Sequence, residues 1–201
     1  MPENEPLQSE GVEESKAKES RMITLEGKEF PVSALEIGGD TAEELQDKIS
    51  VLMATAASNP KYRIPDIAQD RLNRMYESEE FQKLTKNPEQ IQVVSLTLGD
   101  LGLPQATLPQ IYKRAKELGL ELCPAPVVPY QYIVETNKLD SDRWAPYYIA
   151  MEPSSDNDDN EEIAYVERGG NGPWFDYWPA ETGRRWIDKK KFLFRVGRQE
   201  N

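Results

Sequence analysis

Aromatic and basic side chains alternate near the C-terminal end of the chain. Tryptophans interleaved with arginines can stack on bases or sugars, or form the centre of a protein contact. The candidate binding residues share either a large ring or a positive charge, and they are Trp174, Trp178, Arg184, Arg185, Trp186, Lys189, Lys190 and Lys191. Strand aromatics also pack in cores. A basic run can instead guard an edge strand against aggregation, or pair with an acidic loop.

An acidic run, SSDNDDNEE, precedes this region. Asp156, Asp158 and Asn160 fall at alternating positions, and oxygen ligands at that spacing suit calcium. A calcium loop of the EF-hand type needs glycine at its sixth position, where this chain has Glu161. The pattern therefore favours a solvated hairpin loop over a metal site, and we expect no bound metal or cofactor.

The composition excludes several kinds of catalysis because the chain contains no histidine. This absence excludes catalysis by a Ser-His-Asp or Cys-His arrangement and zinc sites with histidine ligands. The single cysteine likewise excludes a zinc site with several cysteine ligands. The sequence contains neither G-x-x-x-x-G-K-[ST] nor G-x-G-x-x-G, the two glycine-rich motifs that bind phosphate groups of nucleotides. Cys123 is expected to be a buried structural thiol. Chemistry based on carboxylates, lysine or tyrosine stays open, with Glu152, Glu167 and Asp176 near Trp174 as its candidates.

The formal net charge is -12, from 24 lysines and arginines against 36 aspartates and glutamates. Such a charge opposes generic binding to nucleic acid or to an anionic membrane and permits binding to a basic protein. No apolar run approaches the length of a membrane helix, and the N-terminus has no apolar stretch typical of a secretory signal. The single cysteine fits a reducing cytoplasm. The oligomeric state is left open.

The elements that must position these residues are clearest between residues 93 and 126. Val94, Leu96 and Leu98 alternate with polar residues and predict a strand. A glycine turn follows, and the sequence from Thr107 to Gln110 then fits a capping box that opens a helix ending near Leu118. The pattern therefore predicts strand, turn, helix, turn and strand.

The segments SLTLGDLG and IYKRAKELGLELCP, with IAMEP later, resemble a family of uncharacterised bacterial proteins. The resemblance covers roughly the second half of the chain, and the segment CPAPVVPYQY departs from it. It implies a bacterial origin and supports the fold, but it assigns no catalytic residue.

The rest of the chain divides by composition into three parts. Residues 1–21 predict a disordered acidic tail. Residues 22–88 predict a hairpin and a small helical annex, with a helix opened by Thr41 and a second helical stretch broken at Ser78. Residues 89–198 predict an α+β domain whose mostly antiparallel sheet packs on one helix. Its later strands are expected at 130–135, 144–151, 163–167, 174–178 and 192–196.

Two classes of function follow from these patterns. The first is a non-catalytic bacterial binding or accessory protein that acts through protein–protein contacts, in the manner of an inhibitor, immunity protein or antitoxin. The second is an enzyme or ligand binder that uses carboxylates and aromatic rings. Contact with nucleic acid through the basic C-terminal residues is a further alternative.

Overall fold

The computed structural model describes residues 21–57, 69–137, 146–155, 160–169, 172–181 and 183–197. Its helices are α1 (Ala42–Ala57), α2 (Gln69–Glu77), α3 (Glu79–Lys86), α4 (Leu108–Glu117) and α5 (Val127–Thr136). Its strands are β1 (Arg21–Leu25), β2 (Lys28–Ile37), β3 (Glu89–Thr97), β4 (Gln105–Thr107), β5 (Leu120–Glu121), β6 (Tyr147–Ile149), β7 (Ser154–Ser155), β8 (Glu161–Gly169), β9 (Gly172–Pro179), β10 (Arg185–Ile187) and β11 (Lys191–Val196).

Nine of these strands form one sheet in the order β1-β2-β3-β11-β6-β8-β7, with β5 paired to β11 and β9 paired to β8. The pairing of β6 with β11 is parallel, and the other described pairings are antiparallel. The predicted α+β class is therefore confirmed, and the sheet is mixed. β4 and β10 form a separate antiparallel pair.

The capping signals mark the beginnings of two helices as predicted. At α1 the Thr41 N–H donates to a Glu44 carboxylate oxygen at 2.8 Å, and the Glu44 N–H donates to the Thr41 hydroxyl at 3.2 Å. At α4 the Thr107 N–H donates to the Gln110 side-chain oxygen at 2.9 Å. The break predicted in the second helical stretch is also present, because Ser78 caps α3 directly after α2.

The strand predicted at residues 130–135 is wrong, because this segment lies within helix α5. Most of its side chains are buried, so it carries no apolar stripe from which a period can be read. Pro129 lies in the first turn, where a missing N–H breaks no intrahelical hydrogen bond. The β-branched and aromatic residues that suggested a strand fill a buried helix instead.

Helix α5 covers one face of the sheet and contacts β2, β8 and β9, while α1 packs against it. The Tyr132 ring meets the Phe175 ring edge-on at a centroid distance of 5.3 Å. The sequence predicted that the sheet packs on one helix, the one opened by Thr107. That prediction was incomplete, because the segment that forms α5 was expected to be a strand. Arg71 of α2 also reaches this sheet and donates to Glu162 of β8 at 2.7 Å.

The hairpin β1–β2 pairs with β3 across the boundary placed at residue 88, so backbone hydrogen bonds join the expected annex to the sheet. The division into three parts otherwise stays a prediction. The expected tail lies outside the described residues except for Arg21, which begins β1. Among the described helices, none has both the length and the apolar character needed to cross a membrane.

Candidate functional site

The hairpin of β8 and β9 places its aromatic side chains on two opposite faces. Phe175 packs against α5, and neighbouring residues in a strand point to opposite sides. Trp178 pairs with Ile163 and Asp176 pairs with Tyr165, so these four residues share the face turned away from α5. The candidate site lies on this second face.

Arg184 lies against two tryptophans on this side of the molecule. The carbon at the centre of its guanidinium is 5.3 Å from the Trp178 ring centroid and 5.7 Å from that of Trp186. The same guanidinium forms an ion pair with Glu181 at 3.6 Å. Trp186 is 3 % exposed, whereas Trp178 is 38 % exposed. Arg184 therefore connects a buried ring to an exposed one and holds its own charge at the surface.

Tyr148 of β6 contacts the Trp186 ring and the Tyr165 ring. Its ring lies 4.6 Å from the Trp186 ring and 5.8 Å from the Tyr165 ring, measured between centroids. The Lys190 ammonium donates to the Tyr148 hydroxyl at 3.3 Å and lies 5.5 Å from its ring centroid. We call Tyr148, Trp178, Arg184, Trp186 and Lys190 the aromatic–cationic surface.

Residues 95–102, with the sequence SLTLGDLG, form backbone hydrogen bonds to the loop that carries Lys190. The Gly99 N–H donates to the Asp188 carbonyl and the Leu98 N–H to the Lys190 carbonyl, each at 3.1 Å. The Asp100 carboxylate accepts from the Thr97 N–H at 2.8 Å and from the Thr97 hydroxyl at 2.7 Å, which fixes the turn. These hydrogen bonds position the basic loop between β10 and β11.

Four of the predicted binding residues come together in the aromatic–cationic surface, namely Trp178, Arg184, Trp186 and Lys190. Arg185 is exposed on the side of β10 opposite Trp186, and Lys189 is exposed in the following turn. Lys191 begins β11 opposite Tyr147. The backbone of Trp174 pairs with Glu167, but its side chain lies outside the described structure.

Lys191 and Arg195 do not protect an edge strand, which was one alternative explanation for the basic run, whereas Arg185 lies on β10, whose one described pairing is with β4. β11 lies in the interior of the sheet, between β3 and β6. Arg195 on β11 forms ion pairs with Glu89 at 3.4 Å and with Glu121 at 3.5 Å. Part of the positive charge is therefore neutralised within the chain, while Arg184 and Lys190 lie over aromatic rings.

Sequence reasoning missed Tyr165 and Glu181 as parts of this site. Tyr165 occupies the middle of β8, and the alternation of Ile163, Tyr165 and Glu167 was the available signal for its face. Burial raises the pKa of Tyr165 to about 12, and the charges of Asp176 and Glu167 add to the effect. Asp176 pairs with Tyr165 across the two strands, and the Tyr165 ring lies 5.9 Å from the Trp178 ring, measured between centroids.

The carboxylates considered for catalysis are separated. Glu167 and Asp176 lie beside Tyr165. Glu152 lies elsewhere, in the lining of a cavity of about 210 Å³ that also includes Tyr112 and Glu161. The Tyr112 hydroxyl donates to the Met151 carbonyl at 2.7 Å, which occupies its proton. These three carboxylates do not converge on one cavity of the described structure.

Two larger cavities also lie away from the aromatic–cationic surface. One of about 590 Å³ lies along β1, β3 and β11 and includes Arg21, Gln90 and Gln92 in its lining. The other, of about 400 Å³, lies between α2 and the sheet beside Arg71, whose guanidinium donates to both Asp70 and Glu162.

The described residues contain no cluster of three or more aspartate, glutamate or cysteine side chains arranged to hold a metal. Of the weak calcium candidates, Asp156 and Asp158 lie outside the described residues and Asn160 precedes β8. Cys123 is buried, its thiol donates to the Leu193 carbonyl at 3.6 Å, and burial raises its pKa to about 12. A thiol with these properties is a poor nucleophile at neutral pH.

Comparison of the chain with protein-family models, with curated proteins and with solved structures found no match.

Proposed function

We propose that this chain is a non-catalytic binding protein that contacts another protein through the aromatic–cationic surface. The observation that carries the proposal is the exposed Trp178 ring, against which the Arg184 guanidinium packs while it also contacts the buried Trp186 ring. Tryptophan, tyrosine and arginine are the residues most enriched among those that dominate binding energy at protein interfaces.

The surface is preorganised for such a contact. Arg184 is positioned by two rings and by Glu181, so less side-chain entropy is lost when a partner binds. Trp178 offers a large apolar area with few rotatable bonds. A rigid ring beside a fixed cation suits a partner that presents an apolar side chain next to a carboxylate or a carbonyl oxygen.

The charge of the whole chain and the charge of the surface act at different distances. A net charge of -12 attracts a basic protein at long range. At contact, Arg184 and Lys190 favour an acidic group on that protein. This pattern supports an accessory role of the inhibitor, immunity or antitoxin kind in a bacterial cytoplasm, and it disfavours a nucleic acid, whose whole length is negatively charged.

The test is quantitative capture of partners from a bacterial lysate by the full chain, followed by affinity measurement with the purified partner. Trp178→Ala and Arg184→Gln should each weaken binding by about 30-fold, the effect of losing a dominant interface residue of about 2 kcal/mol. Val51→Ala is the matched control, because Val51 is 65 % exposed on α1 and belongs to no part of the surface.

Equal affinity of the wild type and both surface variants for a specific partner would reject the surface as the contact. Turnover of a small molecule that is lost in Glu167→Gln or Asp176→Asn would reject the non-catalytic role. Thermal unfolding of each variant confirms that a lost contact does not reflect a lost fold.

A further inference from the structure

Strand β9 forms an edge of the nine-stranded sheet. It pairs with β8 over its whole length, from Gly172 opposite Gly169 to Pro179 opposite Glu162. No other strand of the described structure pairs with it. An edge strand of this length ordinarily presents a row of unpaired N–H and C=O groups to which another chain can add a strand.

The direction of each backbone group on β9 follows from the pairing. The Ala180 N–H donates to the Glu161 carbonyl at 2.7 Å, so the N–H of Ala180 points toward β8. In an antiparallel ladder successive residues point their N–H groups to opposite sides. The outward N–H positions on β9 are therefore those of Pro173, Phe175, Tyr177 and Pro179.

Three of these four outward positions cannot donate to a new strand. Pro173 and Pro179 have no N–H. The Tyr177 N–H is occupied, because it donates to the Asp176 carboxylate at 2.7 Å. Only the Phe175 N–H is left among the outward donors of this strand. A strand added along β9 would thus lose most of the hydrogen bonds that its carbonyl groups require.

We propose that β9 is an edge closed to strand addition by Pro173, Asp176 and Pro179. The closure keeps copies of this chain from pairing through their β9 strands, and it restricts partners at this end of the sheet to side-chain contacts. This inference rests on the backbone of β9 and on the Asp176 carboxylate, and it does not depend on the function proposed above.

The experiment restores outward-pointing N–H donors on β9 in the 201-residue chain. The double variant Asp176→Val with Pro179→Val frees the Tyr177 N–H and restores an N–H at residue 179. Light scattering after size-exclusion chromatography, over a series of concentrations, should show a monomeric wild type and a variant that shifts to at least twice the monomer mass. Amide exchange should slow at Phe175, Tyr177 and residue 179 in the associated form.

Two control variants separate opening of the edge from other effects. Asp176→Asn removes the same charge but keeps a side-chain oxygen that can accept from Tyr177, so it should stay monomeric. Ser95→Val adds a strand-favouring residue on β3, an interior strand, and should also stay monomeric.

An opened variant that folds and stays monomeric at every concentration would overturn the proposal. Association without slowed exchange along β9, or a wild type that already dimerises through β9, would overturn it as well. If the double variant does not fold, Asp176→Val alone is tested by the same two measurements. Because neither measurement involves a partner protein, failure here is distinct from failure of the proposed function.

Discussion

Arg184 shows how one side chain can stabilise the fold and prepare a contact at the same time. It packs against the buried Trp186 ring, and that ring in turn packs against Tyr148 and Phe192 of the sheet. Its second contact, with Trp178, lies at the surface. A lysine at this position would keep the charge but lose the planar guanidinium that lies against both rings.

Cys123 offers a prediction at the same scale. Cys123 is 3 % exposed, and burial raises the pKa of its thiol to about 12, so the thiol stays protonated and inaccessible in the folded chain. We expect Ellman's reagent at pH 8 to leave Cys123 unlabelled in the native protein and to label it fully in urea. The thiolate is the reactive form, and unfolding restores both access and an ordinary pKa.

Rapid labelling of native Cys123 would contradict this description of the core. The matched control is Val51→Cys, which adds a second cysteine at a position that is 65 % exposed. This added thiol should react with the reagent in the folded protein.

At the scale of elements, the loop between β2 and α1 depends on Gly38. Its φ is +87°, and a Cβ there would collide with the Leu84 carbonyl oxygen of α3. That oxygen accepts from the Gly39 N–H at 3.0 Å. Gly38→Ala should therefore lower the free energy of unfolding by about 3 kcal/mol or more, because backbone strain adds to the steric clash.

Gly27 is the matched control for this change. Its φ is +78°, but a Cβ there meets nothing within 4 Å. Gly27→Ala should destabilise the chain by only about 1–2 kcal/mol, the conformational part of the effect. Urea unfolding of both variants measures the difference, and equal losses would show that the Leu84 contact is unimportant.

The sequence was sufficient to predict elements whose local signals agree. The helices opened by Thr41 and Thr107 carry capping residues, and Val94 and Leu96 alternate with polar residues along β3, so each element could be located without tertiary information. Helix α5 could not, because the burial of most of its side chains removes the apolar–polar contrast that distinguishes a helix from a strand.

The candidate site was predictable in residue type but not in geometry. Trp178, Arg184 and Trp186 stood out as an aromatic and basic group, but the sequence carries no sign that Arg184 lies against both rings. Tyr148 and Tyr165 reach the same face through β6 and β8. That meeting depends on long-range strand register, which local patterns do not specify.

At the scale of the whole molecule, buried tyrosines predict alkaline instability. Burial raises the pKa values of Tyr76, Tyr130, Tyr165 and Tyr177 to about 12, above their ordinary value of 10. Between pH 10 and pH 12 the unfolded chain releases protons that the folded chain retains, so stability falls as pH rises through this window. Below pH 10 these groups should have no effect.

Urea unfolding from pH 8 to pH 12, with tyrosinate absorbance at 295 nm recorded in parallel, checks this prediction. The urea midpoint should fall above pH 10, and most of the absorbance should appear only as the chain unfolds. Full tyrosine ionisation at pH 10 in a chain that stays folded would contradict the burial of these side chains.

The interior position of β11 has a consequence for how the chain is made. β3 and β6 lie on either side of it and do not pair with each other, yet the ribosome synthesises both before β11. Until Lys191–Val196 emerges, the nascent chain holds two separate groups of strands with exposed inner edges. Folding of this sheet therefore waits for a late segment, and an arrested chain should be a substrate for chaperones.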